Sequence, residues 1–138
     1  MAHEANTAAL IVAAGRGARA NAGEIPKQYQ SVGGQPILTR ALSAFLGDPS
    51  VTMVQVVIGR GHENLYEAIA PKDSKLLPPV FGASSRQGSV RAGLAALAPH
   101  GPGRVLIHDA ARPFVPADLI ARVAAALGKA DAVVPALP

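Results

Sequence analysis

The most constraining feature of this sequence is a continuous apolar run that spans Ala8 to Ala13 and stops just before Gly15. A run without polar alternation is typical of a strand that is buried on both faces, as in the parallel sheet of an α/β protein. Other apolar runs recur along the chain between segments with helical spacing. We therefore expect a mostly parallel sheet with helices on both faces and right-handed crossovers between its strands.

The rest of the chain alternates predicted helices and strands. Strands are expected, after the first, at 53–58, 76–81, 104–108 and 132–135. Helices are expected, from apolar residues that recur at helical spacing, at 36–46, 62–70, 86–97 and 116–127. Pro78 and Pro79 count against the third strand because proline donates no hydrogen bond to a sheet.

Length, composition and charge limit the class of protein. The 138 residues suffice for one hydrophobic core, so a single domain over 1–138 is expected. The 13 basic and 9 acidic residues give a net charge of +4, which suits a small polyanion. Nucleic acid is disfavoured because no aromatic residues stand among the basic ones. With no cysteine, secretory pattern or membrane-length apolar stretch, we expect a cytoplasmic protein and no membrane partner.

The loop after the first strand combines glycines with basic residues. Gly15 and Gly17 let the backbone approach phosphate oxygens, and Arg16 and Arg19 add positive charge. The glycines also fit a plain tight turn, or a dinucleotide fingerprint in which Arg60 would hold the 2′-phosphate of NADP. A dinucleotide fold would need a helix to begin at the glycines and an acidic residue to end the second strand. The segment after the glycines is a poor helix former and no carboxylate ends that strand, so a loop that binds a triphosphate is favoured.

Two further segments place charge at the same predicted sheet edge. Lys27 follows Pro26, and its ammonium can reach back over the first loop, although no Gly-Lys-Ser/Thr pattern makes this a Walker A site. Asp109 directly follows a buried strand, where a carboxylate can hold Mg²⁺ shared with phosphate oxygens. Pairing of Asp109 with Arg112, or capping of a turn, is the structural alternative. His108 ends an apolar strand and is expected to be structural.

Four segments taken together resemble one enzyme family. They are Ala13-Ala14-Gly15-x-Gly17-x-Arg19, Pro26-Lys27-Gln28-Tyr29, Gly82 to Val90, and His108-Asp109-Ala110-Ala111-Arg112-Pro113. Their order and spacing are similar to those of the 2-C-methyl-D-erythritol 4-phosphate cytidylyltransferases over nearly the whole chain. The resemblance implies a Rossmann-like nucleotidyltransferase fold that joins CTP to methylerythritol phosphate, releases pyrophosphate and requires Mg²⁺, in isoprenoid precursor synthesis.

The resemblance also implies roles for individual residues. Arg19 and Lys27 would stabilise the reacting phosphates, Asp109 would bind substrate and metal, and Arg112 would lie near the methylerythritol phosphate. The nucleotide would be lined by Ala13, Ala14, Gly15, Gly17, Gly82, Ala83 and Ser89. Where the family often has Gly-Gly-Asp-Glu-Arg, this chain has Gly-Ala-Ser-Ser-Arg at 82–86, so an acidic contact to cytosine is lost.

The resemblance further implies that the fold continues past this chain. Members of the family carry a β-arm exchanged across a homodimer and later contacts to the second substrate, so the chain is expected to be the truncated nucleotide-binding portion of one cytidylyltransferase domain. The run at 85–94 is also similar to relatives fused to a 2-C-methyl-D-erythritol 2,4-cyclodiphosphate synthase. A ribitol 5-phosphate cytidylyltransferase and a nucleotide-binding module without turnover remain open alternatives.

Overall fold

A four-stranded parallel sheet organises the part of the chain that the computed structural model describes, residues 6–15 and 25–138. In chain order, the strands are β1 (Thr7–Ala13), β2 (Ser31–Val32), β3 (Gln35–Pro36), β4 (Val51–Ile58), β5 (Val80–Phe81) and β6 (Arg104–Asp109). The sheet has the order β5-β4-β1-β6, and each neighbouring pair is parallel. The strands β2 and β3 form a separate antiparallel ribbon.

Helices cover both faces of this sheet. They are α1 (Ile37–Leu46), α2 (Glu63–Ile69), α3 (Arg86–Leu97) and α4 (Ala117–Ala126), with short 3₁₀ helices at Lys27–Tyr29 and Ala98–His100. One hydrophobic cluster joins the sheet to α1, α2 and α4, and a second joins the opposite face to Leu97 of α3. The predicted α/β architecture is therefore confirmed. No helix in the described part of the chain has the length and apolar character to cross a membrane.

The central strand β1 explains why the two faces can both be buried. Ala9 and Ile11 belong to the cluster under α1, whereas Ala8 and Leu10 belong to the cluster under α3, and all four are inaccessible to solvent. Alternate residues of a strand point to opposite faces, so an unbroken apolar run serves both. Gly93 lets α3 lie close to the sheet, because a Cβ at this position would overlap the side chain of Leu10.

Two expected strands differ from the structure. Of the segment 76–81, only Val80–Phe81 pairs as a strand, and Leu76 makes an isolated bridge to Val54. The prolines between them have no N–H to donate, and the carbonyl oxygen of Pro78 instead accepts a 2.8 Å hydrogen bond from Nε2 of Gln55. The prediction of a strand at 132–135 is wrong, since no strand of the described residues pairs with this segment.

Candidate nucleotide-binding site

A cleft of about 990 Å³ opens at the carboxyl ends of the parallel strands. Its walls come from residues 12–15 at the end of β1, 82–86 after β5 and 109–111 at the end of β6, together with Gln28, Gly59, Arg60 and Ser89. Because the carboxyl ends of parallel strands meet at one edge, segments far apart in sequence become neighbours here. The structure therefore brings together three loops that the sequence places after separate strands.

The side chain of Gln28 fixes the end of β1. Gln28 is 6% exposed, and its Nε2 donates hydrogen bonds to the carbonyl oxygens of Ala13 (2.9 Å) and Gly15 (2.8 Å). The 3₁₀ helix Lys27–Tyr29 presents this amide to the loop. In the sequence, only the place of Gln28 beside Lys27 in the Pro-Lys-Gln-Tyr segment points to this role.

Gly82 and Ser89 shape the opposite wall. A Cβ at Gly82 would lie 2.5 Å from the Cβ of Ala14 and 2.5 Å from Oγ of Ser89, so only glycine fits between these neighbours. Ser89 is 2% exposed, and its Oγ accepts a hydrogen bond from the Ala83 N–H (3.1 Å) and donates to the Ala83 carbonyl oxygen (3.3 Å). The hydroxyl that was predicted to meet the nucleotide therefore holds the backbone of the wall.

Among the described residues, one ion pair crosses the cleft. Nε and Nη2 of Arg86, the first residue of α3, each lie 3.1 Å from Oδ1 of Asp109, the last residue of β6. The two side chains are 60% and 41% exposed. The alternative pairing of Asp109 with Arg112 is wrong, because the carboxylate pairs with Arg86. The Arg112 backbone N–H instead donates to the Asp109 carbonyl oxygen (3.1 Å).

His108, next to Asp109, is held by packing and by one hydrogen bond. Its ring lies 5.2 Å from that of Phe45, and Nε2 donates to the carbonyl oxygen of Arg112 at 2.8 Å. Burial lowers the pKa of His108, and the hydrogen bond to Arg112 and the charge of Asp109 oppose this only in part. The neutral, packed ring agrees with the structural role expected for it.

The described residues of the cleft bring few ligands of their own to a metal ion. They contain no group of three or more histidine, aspartate or glutamate side chains that could hold a metal ion. Asp109 offers one carboxylate to the cleft, and its Oδ2 has no hydrogen-bond partner among the described residues. Mg²⁺ is commonly bound by one or two carboxylates plus substrate phosphates, so Asp109 fits a cation that arrives with a nucleotide.

The remaining predicted site residues divide by location. Arg60 lines the cleft, with its guanidinium 4.8 Å from the ring centre of Phe81. Lys27 and Arg112 are exposed and do not line the cleft as the described residues form it. Arg16, Gly17 and Arg19 lie outside the described residues. The catalytic role of Arg19 therefore stays a prediction from the sequence, as does that of Lys27.

Comparisons with known proteins agree on one family. The sequence profile described as IspD, 2-C-methyl-D-erythritol 4-phosphate cytidylyltransferase, matches residues 7–138. A bifunctional enzyme IspD/IspF of Mesorhizobium japonicum is 46% identical over 131 residues, which are 95% of this chain and 32% of that protein. The protein of the same name from Bradyrhizobium diazoefficiens is 48% identical over 138 residues, which are 100% of this chain and 34% of that protein. This chain thus spans about one third of the length of these relatives.

Solved structures show the same fold. The 4-diphosphocytidyl-2C-methyl-D-erythritol synthase of Anaerococcus prevotii superimposes with a TM-score of 0.77 at 29% identity, over 91% of this chain and 52% of that one. The bifunctional IspDF of Campylobacter jejuni gives a TM-score of 0.71 at 22% identity, over 92% of this chain and 32% of that one. At that lower identity, the second comparison bears on the fold alone.

Proposed function

Because this chain belongs to the 2-C-methyl-D-erythritol 4-phosphate cytidylyltransferase family, we propose that it is the nucleotide-binding part of an enzyme that cytidylates 2-C-methyl-D-erythritol 4-phosphate. The substrates would be CTP and this sugar-alcohol phosphate, and the products 4-diphosphocytidyl-2-C-methyl-D-erythritol and pyrophosphate. The observation that carries the proposal is the cleft itself, in which glycine-bearing walls at Gly15 and Gly82 stand beside the ion pair of Arg86 and Asp109.

The proposed reaction needs no nucleophile from the protein. A phosphate oxygen of methylerythritol phosphate attacks the α-phosphorus of CTP, the new P–O bond forms, and the bond to the departing pyrophosphate breaks in line with it. Both substrates are polyanions, so the protein must hold them together and offset their repulsion. Lys27 and Arg19 are proposed for that task, and Arg112 for the phosphate of the second substrate.

The walls of the cleft would bind the nucleotide mainly through backbone groups. One edge consists of Ala13, Ala14 and Gly15, and Gln28 holds the carbonyl oxygens of Ala13 and Gly15. Gly82 and Ala83 form the facing wall. Gly17 would extend the first loop. Since Ser89 fixes the Ala83 backbone on both its N–H and carbonyl sides, we propose that Ser89 acts by keeping this wall in place.

Mg²⁺ is the proposed cation, and Asp109 the residue that would hold it. Bound there, the cation would neutralise charge on the phosphates of CTP. Both substrates are charged metabolites, and we expect the enzyme in the cytoplasm. Because the curated relatives named above are bifunctional, we also propose that a second catalytic domain accompanies this one. The family resemblance supports a homodimer as the proposed assembly.

The test is pyrophosphate release by the polypeptide as its gene encodes it. CTP with 2-C-methyl-D-erythritol 4-phosphate should give Mg²⁺-dependent release, and CTP with ribitol 5-phosphate should not. Calorimetry with CTP and Mg²⁺ accompanies the assay. Binding of CTP without pyrophosphate release from either alcohol phosphate would identify a nucleotide-binding module, and release with ribitol 5-phosphate alone would identify the other cytidylyltransferase.

A further inference from the structure

The ion pair of Arg86 and Asp109 is asymmetric. Nε and Nη2 of Arg86 both lie 3.1 Å from the same carboxylate oxygen, Oδ1. In the two-pronged arrangement common for arginine and carboxylate, each oxygen receives its own N–H. Here Oδ2 is left without a hydrogen bond from the described residues. Within the described part of the chain, the pair therefore leaves one carboxylate oxygen available while holding a full positive charge beside it.

The backbone positions of both partners are well defined. Arg86 begins α3, whose start is capped by Ser85: its Oγ accepts a 3.0 Å hydrogen bond from the Gly88 N–H. Asp109 ends β6 and is followed by Ala110, which is 1% exposed and whose N–H donates to the Val12 carbonyl oxygen at 3.0 Å. The pair thus links two anchored elements through two partly exposed side chains. Exposed ion pairs contribute little to the stability of a fold. The main effect of the pair of Arg86 and Asp109 is therefore on the charge at the cleft.

We propose that Arg86 is a positioning residue that couples metal binding to nucleotide binding. Arg86 lowers the affinity of Asp109 for a free divalent cation and raises the affinity of the cleft for the nucleoside triphosphate. This inference rests on the proposed function, which assigns the metal to Asp109. A cation without phosphates meets the guanidinium charge at close range, whereas a cation carried by a triphosphate brings negative charge that attracts Arg86.

Arg86 is therefore expected to weaken the binding of a free divalent cation and to strengthen the binding of CTP. Repulsion between one positive charge and a dication about 6 Å apart in water corresponds to roughly a tenfold loss of affinity, and salt reduces it. Loss of an arginine with a purely structural role would weaken the binding of both ligands together. Opposite changes in the two affinities are what separate a charge effect from a folding defect.

The experiment measures Mn²⁺ binding without nucleotide, by electron paramagnetic resonance, and CTP binding without metal, by calorimetry. The encoded polypeptide is compared with Arg86→Gln, Arg86→Lys and Asp109→Asn. Arg86→Gln should bind free Mn²⁺ about three- to tenfold more tightly and CTP about tenfold more weakly. Arg86→Lys keeps the charge and should stay near the parent protein in its affinity for free Mn²⁺.

The chain offers a matched control on α4. Nε of Arg122 lies 3.1 Å from Oδ2 of Asp118, and both side chains are exposed. Arg122→Gln removes an arginine from an ion pair of the same length and should change neither affinity. Unchanged or weaker Mn²⁺ binding by Arg86→Gln overturns the inference, as does Arg86→Lys behaving like Arg86→Gln. If Asp109→Asn leaves Mn²⁺ binding in the presence of CTP unchanged, the metal role in the proposed function fails instead.

Discussion

The buried side-chain amide of Gln28 donates a 2.8 Å hydrogen bond to the carbonyl oxygen of Gly15, the second residue after β1. A second bond of 2.9 Å reaches the carbonyl oxygen of Ala13. Both N–H groups of the Gln28 amide thus donate to carbonyl oxygens of the short backbone segment from Ala13 to Gly15. The position of the backbone from Ala13 to Gly15 therefore depends on a residue that contacts it only in the folded chain.

Replacement of Gln28 by leucine should destabilise the fold. The carbonyl oxygens of Ala13 and Gly15 would lose their partner, which we expect to lower the free energy of unfolding by about 2–4 kcal/mol. Urea titration of the variant measures this. Gln30→Leu is the control, because Gln30 also donates a 2.8 Å hydrogen bond to a backbone oxygen, that of Ile25, but is exposed. Equal stability of the two variants would contradict the role given to Gln28.

Alanine substitutions at Gly82 and Gly15 should distinguish a glycine needed for packing from one needed for nucleotide binding. Gly82→Ala places a methyl group 2.5 Å from Ala14 Cβ and Ser89 Oγ, so the free energy of unfolding should fall by about 1–3 kcal/mol. Gly15→Ala meets no described atom within 4 Å, and its stability should change by less than about 0.5 kcal/mol. Its methyl group would nevertheless lie where the nucleotide is proposed to approach the backbone.

Calorimetry with CTP completes this comparison. If the added methyl group displaces bound CTP at a cost of about 1.4 kcal/mol, the affinity for CTP falls tenfold. We therefore expect Gly15→Ala to bind CTP at least about tenfold more weakly. Normal affinity of a stably folded Gly15→Ala protein for CTP would show that the nucleotide does not approach the backbone there.

Lys27→Met should reduce turnover far more than stability. Lys27 is exposed, so the free energy of unfolding should change by less than about 0.5 kcal/mol. If its ammonium offsets charge on the reacting phosphates, kcat for pyrophosphate release should fall about 10²- to 10³-fold. Lys129→Met changes another exposed lysine, beyond α4, and should leave kcat unaltered. A Lys27→Met protein with kcat near that of the parent would remove Lys27 from the reaction.

The sequence predicts the fold well where burial alone determines it. The run at β1 is apolar at every position because both faces are covered, and that pattern is visible without a structure. The segment at 132–135 is also apolar, but a strand exists only where another strand pairs with it, and Val134 is 85% exposed. Local composition carries no information about a hydrogen-bonding partner, which is why this prediction failed.

The candidate site was predictable in its loops but less so in its contacts. Gly82 and Asp109 follow strand signals, so their meeting at one sheet edge can be expected from topology. The bonds of Gln28 to Gly15 and of Arg86 to Asp109 join residues 13 and 23 positions apart. Arg86 begins the helix predicted at 86–97, and only the crossing of α3 over the sheet selects it as the partner of Asp109.

The two buried tyrosines predict how stability depends on alkaline pH. Burial raises the pKa of both Tyr29 and Tyr66 to about 12, and the charge of Glu63 adds to the shift at Tyr29. In the unfolded chain a tyrosine loses its proton near pH 10. Between about pH 10 and pH 12 the folded state therefore holds more protons than the unfolded state, so stability is complete below about pH 10 and falls as the pH rises.

Tyr66→Phe tests this dependence. The Tyr66 hydroxyl is buried without a hydrogen-bond partner in the described part of the chain, so its removal should change stability at neutral pH by less than about 1 kcal/mol. By about pH 11 the variant should lose roughly 1.4 kcal/mol less than the parent protein, as read by urea titration. The chain has two tyrosines and no tryptophan, so tyrosinate absorbance of the variant reports Tyr29 alone. Parallel stability curves for variant and parent up to that pH would contradict the raised pKa of Tyr66.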